Sequence, residues 1–202
     1  ISGLATLIKK TNLPAIIPEE MYQTIKEIVP KDRCKFVEKE FEIDNVKVEI
    51  INTSHDAPYS TGFIISQQDK SMVYVTDTGY INRKYLSKMI DKNLYLIESN
   101  HDEVMLMDGP YPRILKERVI SDKGHLSNTT TSKYLKKLVG PKTSCIILAH
   151  ISEKNNTEEL ALECTKKALN NENITISVAQ SFIKEVVRDM VPDPITVDRI
   201  ID

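Results

Sequence analysis

Tyr74-Val75-Thr76-Asp77-Thr78-Gly79 is the stretch on which the fold turns. An apolar β-type run over residues 72–75 ends here on a single acidic residue followed by a turn glycine. That pattern puts a carboxylate at the carboxyl-terminal lip of a buried strand, the edge at which open α/β sheets bind their ligands. All four histidines, His55, His101, His125 and His150, also fall at or just past the ends of expected strands or in the loops beyond them. Upstream, Val46, Val48 and Ile50 alternate with Lys47 and Glu49, a period of two that predicts a strand with one wet face. Residues 62–66 and 72–76 read as an antiparallel hairpin joined by the polar turn Gln67-Gln68-Asp69-Lys70, which feeds Asp77.

Downstream the rhythm is strand then helix. Strands are expected at 94–98, 144–149 and 174–178, and helices at 81–90, 103–107, 114–120, 129–139 and 157–169. Asn156 is expected to cap the last helix, with Glu159 placed for a capping box. Before the hairpin, residues 1–10 predict a short helix with Leu4, Leu7 and Ile8 on one face, then a brief strand at 13–17 and a helix opened by Pro18. No cap precedes the first helix, so the chain reads as beginning in mid-element. Antiparallel strands first and strand–helix alternation later predict a mixed α/β sheet covered by helices. A single domain is expected over residues 1–180, with a tail over 181–202 to which the pattern gives no role.

The chain has 202 residues, enough for one domain with a sizeable core. It contains no apolar run long enough to cross a membrane and no visible secretory signal. Cys34, Cys145 and Cys164 are an odd number without close pairing, which favours a reducing, cytoplasmic setting. A net charge of −2 argues against a generalised polyanion-binding surface while leaving room for a local basic groove.

Taken singly, the polar residues at strand ends are ambiguous. His55 in Ser54-His55-Asp56-Ala57-Pro58 reads as a loop histidine or a ligand, and Asp77 as turn chemistry or a ligand. His150, at the end of an apolar strand, is either a ligand or a hydrogen-bonded structural residue. Together, imidazole and carboxylate suit zinc and other first-row divalent ions, and Asp77 has two oxygens with which to bridge a pair of ions. Three ligands do not satisfy two ions. Glu98 and His125 form a second pair, in which a carboxylate fixes the imidazole tautomer and the imidazole protonates a leaving oxygen. The bland alternative is that Ser127 or Asn128 caps a helix and His125 is a turn residue. His101 is equally readable as a further site residue or a surface one.

These stretches resemble a known family. Ser54-His55-Asp56-Ala57-Pro58, Val75-Thr76-Asp77-Thr78-Gly79, Glu98-Ser99-Asn100-His101-Asp102 and Leu148-Ala149-His150-Ile151-Ser152 look like successive motifs of the metallo-β-lactamase fold. Gly109-Pro110-Tyr111-Pro112 followed by Ser121-Asp122-Lys123-Gly124-His125-Leu126-Ser127-Asn128 is similar to the YycJ (WalJ) group of bacterial nucleases. The resemblance runs from about Ile1 to Gln180. It implies an αββα sandwich of two mixed sheets flanked by helices, with His55, Asp77 and His150 as metal ligands and Asp77 bridging. It parallels the Glu–His pair of ribonuclease Z at Glu98 and His125. It also implies an earlier His-x-His-x-Asp-His motif. That motif is absent here, and Ile1-Ser2-Gly3-Leu4 looks like the residues that immediately follow it, so the first strands of the sandwich are expected to be missing.

The function so implied is a metal-dependent phosphodiesterase resembling 5′-to-3′ DNA exonucleases, using water activated by two divalent ions, zinc or manganese. Part of the ligand set is expected before Ile1, and this chain alone is expected to be weak or inactive. Arg113, Lys116, Arg118, Lys133, Lys136 and Lys137 are candidates for phosphate-backbone contacts or are solvated helix faces. Two other readings stand: an RNA-processing or small-ester hydrolase of the same fold, and a metal-free interaction module.

Overall fold

Period-two alternation builds most of the central sheet. The computed structural model describes residues 2–11 and 13–179. Helix α1 (Ser2–Lys10), strand β1 (Ala15–Pro18), helix α2 (Glu19–Ile25) and strand β2 (Cys34–Val37) come first. Strands β3 (Glu40–Ile43), β4 (Val46–Asn52), β5 (Thr61–Gln67) and β6 (Lys70–Val75) follow. Then come α3 (Arg83–Met89), β7 (Leu94–Glu98), α4 (Glu103–Asp108), α5 (Arg113–Ile120), α6 (Asn128–Leu138), β8 (Cys145–Ala149), α7 (Glu158–Leu169) and β9 (Thr175–Val178).

Seven strands pair in the order β3-β4-β5-β6-β7-β8-β9. Neighbours from β3 to β6 are antiparallel, and those from β6 to β9 are parallel. The β3–β4 turn is Asp44-Asn45, both at positive φ (48° and 66°), the backbone that a two-residue hairpin with primed turn geometry requires. Two strands away, β4 and β6 run the same way, so the chain leaves β4, β6, β7 and β8 at one edge of the sheet.

One face of the sheet is fully buried. Ile51, Ile64, Val73, Val75, Tyr95, Ile97, Ile146 and Leu148 join Met89 of α3, Leu135 and Leu138 of α6 and Ala161 of α7 in a single apolar cluster. Tyr95 is buried with its hydroxyl satisfied: it donates toward the carbonyls of Met89 and Leu138 and accepts from the Lys92 amide. The opposite face carries Phe63, Ile65, Met72, Tyr74, Leu94 and Leu96, all half-buried.

The second sheet consists of β1 and β2, a two-stranded parallel pair, and a smaller core of Ile8, Ala15, Ile17, Ile25 and Val29 gathers with it. Two local expectations change. Leu7 faces solvent, because only Leu4 and Ile8 of α1 pack onto that small core. Helix α7 is capped by the Thr157 hydroxyl, which accepts from the Leu160 amide, and not by Asn156. Asn156 is drawn away into a buried amide cluster, and Glu159 consequently falls one position short of a capping box. Among the described residues no helix is long and apolar enough to cross a membrane. Cys34, Cys145 and Cys164 are free thiols. The expected tail at 181–202 lies outside the described residues.

Candidate metal centre

Four chain segments converge at the shared edge of the sheet. His55 follows β4, Asp77 follows β6, Glu98 ends β7 and His150 follows β8. His125 arrives from the loop between α5 and α6. Asp77 and His150 both have left-handed backbones, with φ of 54° and 56°. Such conformations are costly for residues with a Cβ and concentrate at functional sites.

Hydrogen bonds lock the turns together. The Thr78 hydroxyl accepts from the Ser54 amide at 3.0 Å and donates to the Tyr80 carbonyl at 2.7 Å. The Gly79 amide donates to the Ser54 carbonyl at 2.9 Å. The His55 loop and the Asp77 turn therefore move as one piece. The His125 loop is set by Gly124, where a Cβ would stand 2.1 Å from the Val119 carbonyl oxygen. Only glycine lets the loop close that tightly, and the His125 amide then donates to the same carbonyl at 2.8 Å.

Glu98 is the hub. Its side chain is wholly buried, and both carboxylate oxygens are engaged. Oε1 pairs with His125 Nδ1 at 2.7 Å and with His150 Nδ1 at 2.6 Å, while Oε2 accepts from the amides of Thr78 at 3.0 Å and Leu126 at 3.3 Å. Burial pushes the carboxyl pKa up, but the hydrogen bonds from His125 and His150 outweigh it and hold the group below the usual range. The same bond from Glu98 raises the His150 pKa, against the opposing effect of burial.

The sheet edge brings the other predicted residues alongside. The His55 and His125 ring centroids are 5.2 Å apart, and those of His125 and His150 are 5.0 Å apart. Asp77 Oδ1 stands 3.6 Å from His150 Nδ1 and 3.9 Å from His55 Nε2, beyond hydrogen-bond length. The two acids thus differ. Glu98 is saturated with N–H donors, whereas Asp77 presents an oxygen toward two imidazoles without bonding either.

That difference bears on whether a metal fits. His55, Asp77 and His125 each offer a ligand atom within 4.8 Å of the others, and so do Glu98, His125 and His150. Mixed imidazole and carboxylate donors at this spacing are the chemistry of zinc and similar divalent ions. Asp77 fits a ligand's role; Glu98 fits the orienting carboxylate behind ligating or proton-carrying imidazoles.

His101 is not part of the cluster. It is 2 % exposed, its Nδ1 has no hydrogen-bond partner among the described residues, and burial lowers its pKa, which keeps the ring neutral. Its carbonyl accepts from the Asn128 amide, so it supports the chain behind Glu98. Arg113 pairs with Glu117 at 2.7 Å, and the Lys116 amine donates to the Met107 carbonyl. Lys133 and Lys136 lie on the exposed side of α6. None of these four basic residues lines the cavity beside the histidines, whereas Arg118 and Lys123 do.

Sequence reading missed two features. One is the pair between Arg118 Nε and Asp56 Oδ2 at 2.5 Å, which ties α5 to the His55 loop across 62 residues. No local signal marks such a pair. The other is the buried network of Ser99, Asn128 and Asn156. Asn156 donates to the carbonyls of Ser99 and Asn100 and exchanges amide hydrogen bonds with Asn128, whose Oδ1 also accepts from Ser99. The signal available was an asparagine cluster flanking the Glu98 and His125 motifs.

Comparison with known proteins agrees with this fold. Residues 1–151 match the model of the beta-lactamase superfamily domain. The chain is 30 % identical over 188 residues to exodeoxyribonuclease YycJ of Bacillus anthracis, spanning 89 % of this chain and 70 % of that protein. It is 33 % identical over 168 residues to exodeoxyribonuclease WalJ of Streptococcus pneumoniae, spanning 80 % of this chain and 62 % of that one. Among solved structures, the metallo-beta-lactamase fold protein YhfI of Bacillus subtilis superposes with a TM-score of 0.61 at 12 % identity, covering 83 % of this chain and 62 % of its own. Zinc-bound PqqB of Methylobacterium extorquens gives 0.61 at 14 %, covering 89 % and 66 %. At those identities the likeness shows the fold.

Proposed function

The chain belongs to the beta-lactamase superfamily, and from that premise we propose that it serves a metal-dependent phosphodiesterase that acts on DNA ends. The observation that carries this reading is the Glu98 carboxylate shared by His125 and His150, with Asp77 and His55 alongside. The exodeoxyribonuclease names of the two similar proteins support DNA as substrate.

His55, Asp77 and His150 would hold divalent ions, zinc or manganese. When bound, such ions supply Lewis acidity that activates water and neutralises charge on a phosphodiester. The chain's own residues account for the rest. Glu98 accepts from His125 Nδ1 and so fixes the tautomer and aim of that ring. His125 Nε2, when protonated, delivers its proton to the leaving oxygen as the P–O bond breaks, so that no alkoxide is released. Glu98 steadies the imidazolium through the same bond. Arg118 holds Asp56, and with it the loop that presents His55.

The test is metal content at equilibrium together with hydrolysis of end-labelled duplex DNA by the full-length protein, with zinc or manganese supplied. Metal bound in proportion to protein, and label released in a chelator-sensitive way, is the expected result. If the protein takes up no metal and leaves DNA uncleaved, the proposal fails. Cleavage of RNA with DNA left intact would move the substrate and keep the chemistry. In the Asp77→Ala variant bound metal should fall to background and hydrolysis by at least about 10³-fold; full occupancy in that variant would remove Asp77 from the centre.

A further inference from the structure

Helices α3 and α6 pack side by side over the fully buried face of the sheet, both contributing to its apolar cluster. Neither helix contains a carboxylate. Each carries three cations: Arg83, Lys84 and Lys88 on α3, and Lys133, Lys136 and Lys137 on α6. The whole chain has a net charge of −2, so this positive charge is local. Where α3 begins, a groove of about 470 Å³ runs between the two helices. Its lining includes Tyr80, Asn82, Arg83, Leu86, Tyr134 and Lys137. No carboxylate lines it, and it shares no lining residue with the cavity beside the histidines. The Thr78 hydroxyl donates to the Tyr80 carbonyl at 2.7 Å, which fixes the rim of the groove to the turn that carries Asp77.

Two features of this groove call for an anionic partner with exposed rings. The first is unspent charge. Arg83 and Lys137 are exposed and make no ion pair among the described residues. Lys133 stands one turn before Lys137 on the same side of α6, equally exposed and unpaired. Like charges four residues apart on a helix repel each other, and a bound anion relieves that repulsion. The second is a pair of aromatic walls. Tyr80 is 39 % exposed. The Tyr134 hydroxyl accepts from the Ile81 amide at 3.1 Å, which holds its half-buried ring in place. Free cations beside aromatic faces suit a single strand of nucleic acid, whose phosphates and unpaired bases alternate along its length. A duplex keeps its bases stacked inward and offers these rings nothing.

We infer that the groove between α3 and α6 is a second DNA-binding surface, which holds a single-stranded segment outside the reacting centre. Arg83 and Lys137 meet its phosphates, and Tyr80 stacks on a base. The choice of DNA as the occupant rests on the phosphodiesterase reading above. It adds that grip on the strand and cleavage of the strand belong to different surfaces, joined by the Asp77–Tyr80 turn.

The test is fluorescence anisotropy of a labelled twenty-nucleotide oligothymidylate titrated with the full-length protein in chelator, so that binding is read without turnover. Saturable binding is expected, tighter than for a blunt duplex of the same length. The Arg83→Ala/Lys137→Ala double variant should bind at least tenfold more weakly, and its log–log dependence on salt should be shallower by about 1.4, since each phosphate contact on a single strand contributes about 0.7. Tyr80→Ala should weaken binding at least about fivefold with the salt slope unchanged, as loss of one stacked base implies. All three side chains are exposed, so the variants should keep the wild-type melting temperature. No saturable binding, a blunt duplex bound as tightly, or affinity unchanged in the double variant or in Tyr80→Ala overturns the inference. DNA hydrolysis by the metal-loaded protein separates the two claims. Hydrolysis together with binding indifferent to Arg83 and Lys137 defeats the groove alone; binding that depends on them, without hydrolysis, defeats the phosphodiesterase reading.

Discussion

Strands β3–β5 and strands β7–β9 flank β6 in one sheet, and both contribute apolar side chains to one core. Their polar chemistry differs. Among the described residues, no buried polar side chain occurs before Thr78. From Thr78 onward they are frequent: Glu98, Ser99, Asn100, His101, Asn128, Asn155 and Asn156 are all buried. The antiparallel half keeps its charges at the surface, in pairs such as Lys47–Glu40 at 3.0 Å and Lys88–Glu49 at 2.6 Å. An antiparallel meander turns back through short hairpins and can leave one face wet. A parallel half needs crossover helices, and the loops entering them gather at one edge, where their backbone groups must find partners. The site lies at that edge because buried carbonyls and amides are collected there and polar side chains can be fixed among them.

The contrast between the halves can be broken most severely at the edge itself. His125→Ala should lower turnover on DNA about 10²- to 10⁴-fold with metal content nearly unchanged, as expected for a lost proton donor. Loss of metal in that variant would instead make His125 a ligand. Next in size, Asn156→Ala should destabilise the protein by about 3 kcal/mol in chemical denaturation, since Ser99, Asn100 and Asn128 each lose a buried partner. A change below about 1 kcal/mol would mean that the asparagine cluster does not hold the edge. In the antiparallel half, Ile64→Val removes one buried methyl group and should cost about 1 kcal/mol, with metal binding unaltered.

The smallest effect belongs to the surface pair. Lys88→Ala should cost less than about 1 kcal/mol. The hydrogen bond from Lys88 holds the Glu49 carboxyl below its usual range. A carboxyl depressed in the folded state contributes stability above its unfolded pKa, about 4.3, and loses it as pH falls through the lower folded value. The gap between variant and wild type in a pH series of melting temperatures should therefore be present at pH 7 and close below about pH 4. A gap that persisted at pH 3 would show that packing of the lysine stem, and not the ion pair, is responsible.

How much of this could be read in advance depends on how local the cause is. The hairpin that feeds Asp77 and the strand ending at Glu98 were legible because alternation and turn residues act over a few positions. The pairing of Glu98 with His125 was also readable, as two motifs of complementary chemistry. That Glu98 takes His150 on the same oxygen was not, because 52 residues separate them and only the parallel register of β7 and β8 makes them neighbours. Asn156 shows the same limit from the other side. Its local pattern is that of a helix cap, and a buried amide partner 28 residues away outcompetes that role.

The sequence by itself determined the element order from β4 onward, the carboxylate and imidazole types available for chemistry, and the edge at which they would lie, since these follow from short-range periodicity. Tertiary structure alone decided the division of labour between the two acids. Four donors from three separate segments close around Glu98, whereas Asp77 is left with an oxygen toward two imidazoles that it does not bond. The reason is physical: a carboxylate's role is set by which donors reach it, and those donors are assembled by strand register and loop closure over distances that no local pattern spans.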